Sequence, residues 1–166
     1  MNTTTNTEKP PVVIVAAGNN SRFTPLNTRT HKGFLPLAGK PIIHQTLESL
    51  AEHGFTQVYI VVSPKDYHTD LFESYAKNHT TDLKITTLLQ ETAGGMGEAV
   101  LLAQEHIQSH FVLASPYYTN LGEIAETLWQ QQPEQKECIV LGTHTTTPEL
   151  YGMLEIDPNN SSKVVG

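Results

Sequence analysis

The first strong pattern in the chain is an unbroken apolar run, Val12-Val13-Ile14-Val15-Ala16-Ala17. Continuous β-branched residues with no polar alternate predict a strand covered on both faces, as in parallel sheets. Gly18 closes the run, and a Gly/Pro/Asn/Thr-rich loop is expected over residues 18–40. A loop of that length is usually functional. Pro41 suits a first helical position. Ile43, Leu47, Leu50 and Ala51 then share one helical stripe, with Gly54 as its stop. Val58-Tyr59-Ile60-Val61-Val62 repeats the buried-strand pattern, which completes a right-handed β–loop–α–β unit.

The alternation continues downstream. A helix is expected over 65–77 with Tyr67, Leu71 and Tyr75 on one face, then a strand from Leu83 to Gln90. Ala93-Gly94-Gly95-Met96-Gly97 predicts a tight turn, and 97–109 a helix striped by Val100, Ala103 and Ile107. Phe111-Val112-Leu113-Ala114 predicts a short buried strand; Leu121, Ile124, Ala125 and Leu128 a helix; Cys138 to Leu141 a further strand with Cys138 in the core. Strands alternating with helices predict an α/β fold, a Rossmann-like, doubly wound and mostly parallel sheet. Residues 1–11 are expected to form a disordered tail and 12–166 one domain. Tyr151–Ile156 and Lys163–Val165 flank an Asp-Pro-Asn-Asn turn and predict a hairpin. Its second strand runs to the end of the sequence, so the domain is expected to be incomplete at its C-terminus.

Composition narrows the class. The 166 residues are 38% hydrophobic and 16% charged, the profile of a globular domain. A net charge of −7 argues against non-specific nucleic-acid binding. No apolar run has membrane-spanning length and no apolar signal segment opens the chain. A cytoplasmic protein without membrane or nucleic-acid partners is therefore expected. The single cysteine excludes an internal disulfide and a Cys-based zinc cage. Charge is uneven, however. Residues 18–40 hold Arg22, Arg29, Lys32 and Lys40 and no acidic residue. A cationic, glycine-containing segment in an acidic chain suits an anionic ligand, phosphate above all.

That segment carries a recognisable pattern. Ala16-Ala17-Gly18-Asn19-Asn20-Ser21-Arg22-Phe23-Thr24-Pro25-Leu26, followed by His31-Lys32-Gly33-Phe34-Leu35-Pro36-Leu37-Ala38-Gly39-Lys40-Pro41, resembles the two linked halves of the sugar-phosphate nucleotidyltransferase signature. The variant with Ser21, Phe23 and His31-Lys32 is similar to the choline-phosphate cytidylyltransferase branch. The resemblance implies that an NTP binds and that the phosphate of a sugar-1-phosphate or alcohol phosphate attacks its α-phosphorus, releasing pyrophosphate. It assigns catalytic roles to Arg22, on the departing pyrophosphate, and to Lys32, on the attacking and α-phosphates. It assigns nucleotide contacts to Ala16, Ala17, Gly18, Asn19, Asn20 and Ser21. Asn20 replaces the family's second glycine; asparagine tolerates a left-handed backbone better than most residues. Gln90 with Gly94-Gly95-Met96-Gly97-Glu98-Ala99 resembles the family's base-reading segment, which assigns Gln90 and Gly95 to the base.

One position departs from the family. Its next strand ends in Gly-Asp, where the Asp holds Mg²⁺. Here Ser115-Pro116-Tyr117-Tyr118 follows the strand, and Pro116 stands in the Asp position. Mg²⁺ is expected from the resemblance, yet no ligand for it is identified in this chain. Two readings follow, an active nucleotidyltransferase and a degenerate domain that binds nucleotide or sugar nucleotide without turnover. A nicotinamide-binding domain is a third, opposed by Ser63-Pro64 where an acidic residue should end the second strand. His106 and His110, four apart, are expected on a polar helix face, Trp129 in packing, and Asp66, Asp70 and Glu73 on a solvated helix face.

Overall fold

The computed structural model describes residues 8–18, 23–26, 31–66, 75, 82–92, 94–108, 110–131 and 138–165. They divide into two units, residues 1–135 and 136–166.

The first unit is built on a four-stranded sheet. Its strands are β1 (Val12–Ala16), β4 (Gln57–Val62), β5 (Lys84–Leu89) and β6 (Val112–Ala114), in the order β5-β4-β1-β6, all parallel. The expected 18–40 loop is partly structured. Lys32–Phe34 form one 3-10 turn, and β2 (Pro36–Leu37) pairs with β3 (Lys40–Pro41) in a hairpin. Its two turn residues, Ala38 and Gly39, both have positive φ, 53° and 81°. That is the turn geometry that matches strand twist, and Gly39 adopts it without steric cost.

Helices α1 (Ile42–Glu52), α2 (Gly95–Leu102) and α3 (Leu121–Gln130) cover the sheet. Period-two alternation divides β1 between the two faces. Val12, Ile14 and Ala16 join Ile43, Leu47 and Leu50 of α1 and Leu121 and Ala125 of α3 in one core. Val13 and Ala17 join Ala99 and Ala103 on the other side. Helices on both faces make the sheet doubly wound, as the sequence pattern predicts. The expected tail is described from Glu8 onward, where Lys9 bridges to Glu126 at 2.8 Å and the Pro11 carbonyl accepts from Val112.

Several expectations are corrected. The Gly94–Gly97 stretch is no free turn: Gly95 to Gly97 already belong to α2, which ends at Leu102 and gives way to a 3-10 turn at Gln104–His106. β6 is not buried but an edge strand, with Leu113 43% exposed, because β1 covers only one of its sides. Residues 138–141 form no strand, and Cys138 is exposed rather than in a core. Asp66 is fully buried instead of solvated. Pro41 precedes α1 rather than opening it. The helix expected over 65–77 lies largely outside the described residues, although Tyr75 packs into the core against His44. His106 stacks on Tyr59 and His110 meets Trp129 edge-on. In the second unit, β7 (Ile156–Asp157) and β8 (Asn160–Val164) form the predicted hairpin with a shortened first strand. No helix among the described residues is long and apolar enough to cross a membrane.

The two helices on one face touch through backbone. Gly122 of α3 donates its N–H to Ser49 Oγ of α1 at 3.0 Å, and a Cβ on Gly122 would lie 2.0 Å from the Ser49 carbonyl oxygen. Gly122→Ala is expected to destabilise the protein by ~1–3 kcal/mol or more, since neither backbone can yield freely. Gly97→Ala, whose added Cβ meets nothing within 4 Å, is expected to be neutral or to stabilise by up to ~1 kcal/mol through helix propensity. Urea unfolding of both variants checks the contrast.

Candidate active site

In a doubly wound sheet a ligand crevice opens at the carboxyl ends of the strands, where the chain order reverses. Here that point is β1, with β4 on one side and β6 on the other. Ala16 ends β1 at this edge, and Ala17 and Gly18 follow it. Asn19, Asn20, Ser21 and Arg22 lie outside the described residues. Lys32 is described, and the anchoring of its segment is clear.

His31-Lys32-Gly33 is fixed to the strands on either side of β1. Toward β4, the His31 N–H donates to Asp66 Oδ1 at 3.0 Å. Asp66 is held in turn by Ser63 Oγ, 2.9 Å from Oδ2, and by its own N–H to the Ser63 carbonyl. A Ser-x-x-Asp sequence directly after a strand is the signal for this turn, and it is present as Ser63-Pro64-Lys65-Asp66. Toward β6, Gly33 lies flat against Pro116: a Cβ there would sit 2.7 Å from Pro116 Cγ. Thr46 of α1 adds a long hydrogen bond to the Pro116 carbonyl at 3.4 Å.

His31 itself is buried and its Nδ1 accepts from the Gly33 N–H at 3.1 Å. Burial lowers its pKa to about 4; Asp66 opposes this, while Lys32 and Lys65 add to it. The neutral ring is also what the Gly33 hydrogen bond requires, because a protonated Nδ1 cannot accept. The Lys32 ammonium lies 4.0 Å from the centroid of the Tyr117 ring, a cation–π contact. Tyr117 also leans on Tyr118, their centroids 5.4 Å apart.

The second motif assembles beside β5. Gln90 follows that strand, and its N–H donates to the Val62 carbonyl of β4. Its side-chain amide donates to the Gly95 carbonyl at 3.1 Å and to Glu98 Oε2 at 2.7 Å. Both targets are acceptors, so the amide nitrogen faces them and Oε1 is left to accept from elsewhere. Gly95 reaches this geometry at φ +90°, and a Cβ on Gly94 would collide with the Glu98 carboxylate at 2.0 Å. The Gln90 hydrogen bond holds the Glu98 carboxyl below the usual carboxylate range. Gln90 and Gly95 are thus brought together by a direct hydrogen bond. Glu98, Asp66 and Tyr117 are residues of this region to which the sequence alone assigns no part in the site.

The place that the resemblance reserves for a metal carboxylate does not suit a divalent cation. The Pro116 side chain offers no ligand atom and is pressed on Gly33, and the Lys32 ammonium lies over the ring of the next residue, Tyr117. Among the described residues no group of three or more His, Cys, Asp or Glu could hold a metal ion.

Comparison with known proteins bears on the family and the fold. Residues 11–166 match the family described as nucleotidyl transferase. The chain is 27% identical over 152 residues to a bifunctional sugar-1-phosphate nucleotidylyltransferase/acetyltransferase of Sulfurisphaera tokodaii, covering 91% of this chain and 35% of that protein. It is 30% identical over 163 residues to the bifunctional protein GlmU of Parvibaculum lavamentivorans, covering 96% and 34%. The chain therefore spans about a third of these relatives. Among solved structures, a Bacillus anthracis protein in complex with sucrose, provisionally assigned as a glucose-1-phosphate thymidylyltransferase, shares the fold. The TM-score is 0.61 at 20% identity, over 75% of this chain and 51% of that one.

The neutral state of His31 predicts a pH dependence. Its folded pKa lies below the unfolded value of 6.5, so the unfolded chain takes up the proton first as pH falls. Stability contributed by neutral His31 is complete above pH ~6.5 and is lost as pH drops toward ~4, by up to ~3 kcal/mol. In urea titrations across this range, His31→Asn, which keeps an acceptor for Gly33, is expected to show the shallower decline.

Proposed function

As the chain belongs to the nucleotidyl transferase family, we propose that it forms the nucleotide-binding part of an enzyme that transfers a nucleotidyl group from an NTP to a sugar-1-phosphate or alcohol phosphate. The observation that carries this reading is the convergence at one sheet edge. Gly18 leaves β1 there, Lys32 is pinned between the ends of β4 and β6, and the Gln90–Gly95 turn lies beyond β5. In this reading an oxygen of the acceptor phosphate attacks the α-phosphorus, the bond to the bridging oxygen breaks, and pyrophosphate leaves with that electron pair. No protein nucleophile is needed. Positioning and charge neutralisation supply the catalysis. Lys32 binds phosphate oxygens as a mobile point charge, and Arg22 offers a planar fork to the departing pyrophosphate.

Gln90 bears on the choice of base. With its amide hydrogens spent on Gly95 and Glu98, its remaining acceptor suits a base edge carrying a ring N–H, as in uracil, thymine or guanine.

A second reading, nucleotide binding without turnover, draws support from Pro116 in place of the metal carboxylate. Pyrophosphate release, measured with each NTP and a panel of sugar-1-phosphates and phosphocholine, separates the two. Release is the expected outcome; NTP binding by calorimetry without release selects the second reading. In either case Lys32→Ala is expected to weaken NTP binding ~10- to 100-fold, the worth of a hydrogen bond to a charged group. UTP, dTTP or GTP is expected to bind more tightly than CTP or ATP, and Gln90→Leu to erase that preference.

A further inference from the structure

Lys32 differs from the other lysines whose partners are known. Lys9 meets Glu126, Lys40 meets Glu48 and Lys163 faces Asp157, so each has a carboxylate against its charge. Lys32 instead lies on the face of Tyr117. An aromatic face holds an ammonium in place without cancelling its charge, and the three N–H donors can still turn toward an anion. The holder is itself fixed. Tyr117 follows Pro116, which is wedged on Gly33, the residue after Lys32. The segment bearing the cation and the segment bearing the ring are thus locked together at the end of β6, where a metal-binding carboxylate is expected but a proline stands.

We propose that this edge binds nucleotide phosphates without a divalent ion, the Lys32 ammonium parked on Tyr117 taking the place of the metal's charge. Tyr117 is a positioning residue: it restricts the lysine before the anion arrives, so less side-chain freedom is lost on binding. The ring rather than the hydroxyl does this, and Phe suffices at the position. The proposal rests on the nucleotide-binding reading above, but not on turnover.

Calorimetric titration of the full chain with UTP and with tripolyphosphate tests it, each in excess EDTA and again in excess Mg²⁺. Both anions are expected to bind in EDTA with affinities at least equal to those in Mg²⁺. Tyr117→Leu is expected to weaken binding ~2- to 5-fold, the range of an exposed cation–π contact, and Tyr117→Phe to restore it. Tyr117 is 41% exposed, and a urea midpoint common to the three proteins guards against a folding defect. An independent reading comes from NMR. The Lys32 ε-methylene protons should be shifted upfield by the ring in the parent and in Tyr117→Phe, and should return to the ordinary lysine position in Tyr117→Leu. Binding seen only with Mg²⁺ overturns the proposal and leaves the nucleotide-binding reading standing. Binding in EDTA that ignores Tyr117→Leu overturns the role of the ring. Failure of both anions to bind in either condition overturns the proposal and the reading together.

Discussion

The hydrogen bond from the His31 backbone to a fully buried Asp66 is the constraint on which the candidate site rests. A carboxylate without solvent is costly unless its oxygens are satisfied. Ser63 and the His31 N–H satisfy one oxygen each. What this achieves is positional. The basic segment is separated from β1 by a long stretch of chain, yet it is fastened to the end of β4 on one side and seated on Pro116 beyond β6 on the other. A lysine on an untethered loop would lose that placement, and the neutral His31 beside it adds no competing charge.

Much of this architecture is legible in the chain because the interior strands are written without ambiguity. Val12–Ala16 and Val58–Val62 are apolar at every position facing either core, and no surface strand has reason to look like that. The resemblance of the two motifs drew attention to Lys32, Gln90 and Gly95, and the structure sets all three at the carboxyl-end side of the sheet. Other features hid for physical reasons. Asp66 sits in a polar stretch that reads as a solvated helix; the Ser63-x-x-Asp66 spacing after β4 marks the turn, whereas the burial follows from the contact with the His31 segment. Residues 138–141 have strand composition, but composition cannot supply a neighbouring strand to pair with. Phe111–Ala114 has a core pattern, whereas its exposure depends on whether a second neighbour flanks β6, a fact that belongs to the sheet and not to the segment.

Pro116 changes the electrostatic character of the site more than a single substitution usually does. A carboxylate there would draw a divalent cation and pull the lysine toward itself. Proline does neither, and its ring fills the space over Gly33. The aromatic pair that follows then becomes the lysine's neighbour. Four successive residues, Ser115 to Tyr118, thereby replace a carboxylate at this strand end with an aromatic face that carries the Lys32 ammonium. The Gln90–Glu98 pair stands apart from this, its negative charge held by hydrogen bonds within its own turn.

The strand order has a consequence for how the molecule comes into being. β1 leaves the ribosome before both of its neighbours and is an interior strand of the sheet, paired through Val12 with Val58 on one edge and Val112 on the other. During synthesis it must wait, apolar on both faces, until those distant partners have been made. A nascent chain halted before β6 would display its most water-averse segment half covered, the condition under which chaperones are recruited and misassembly begins.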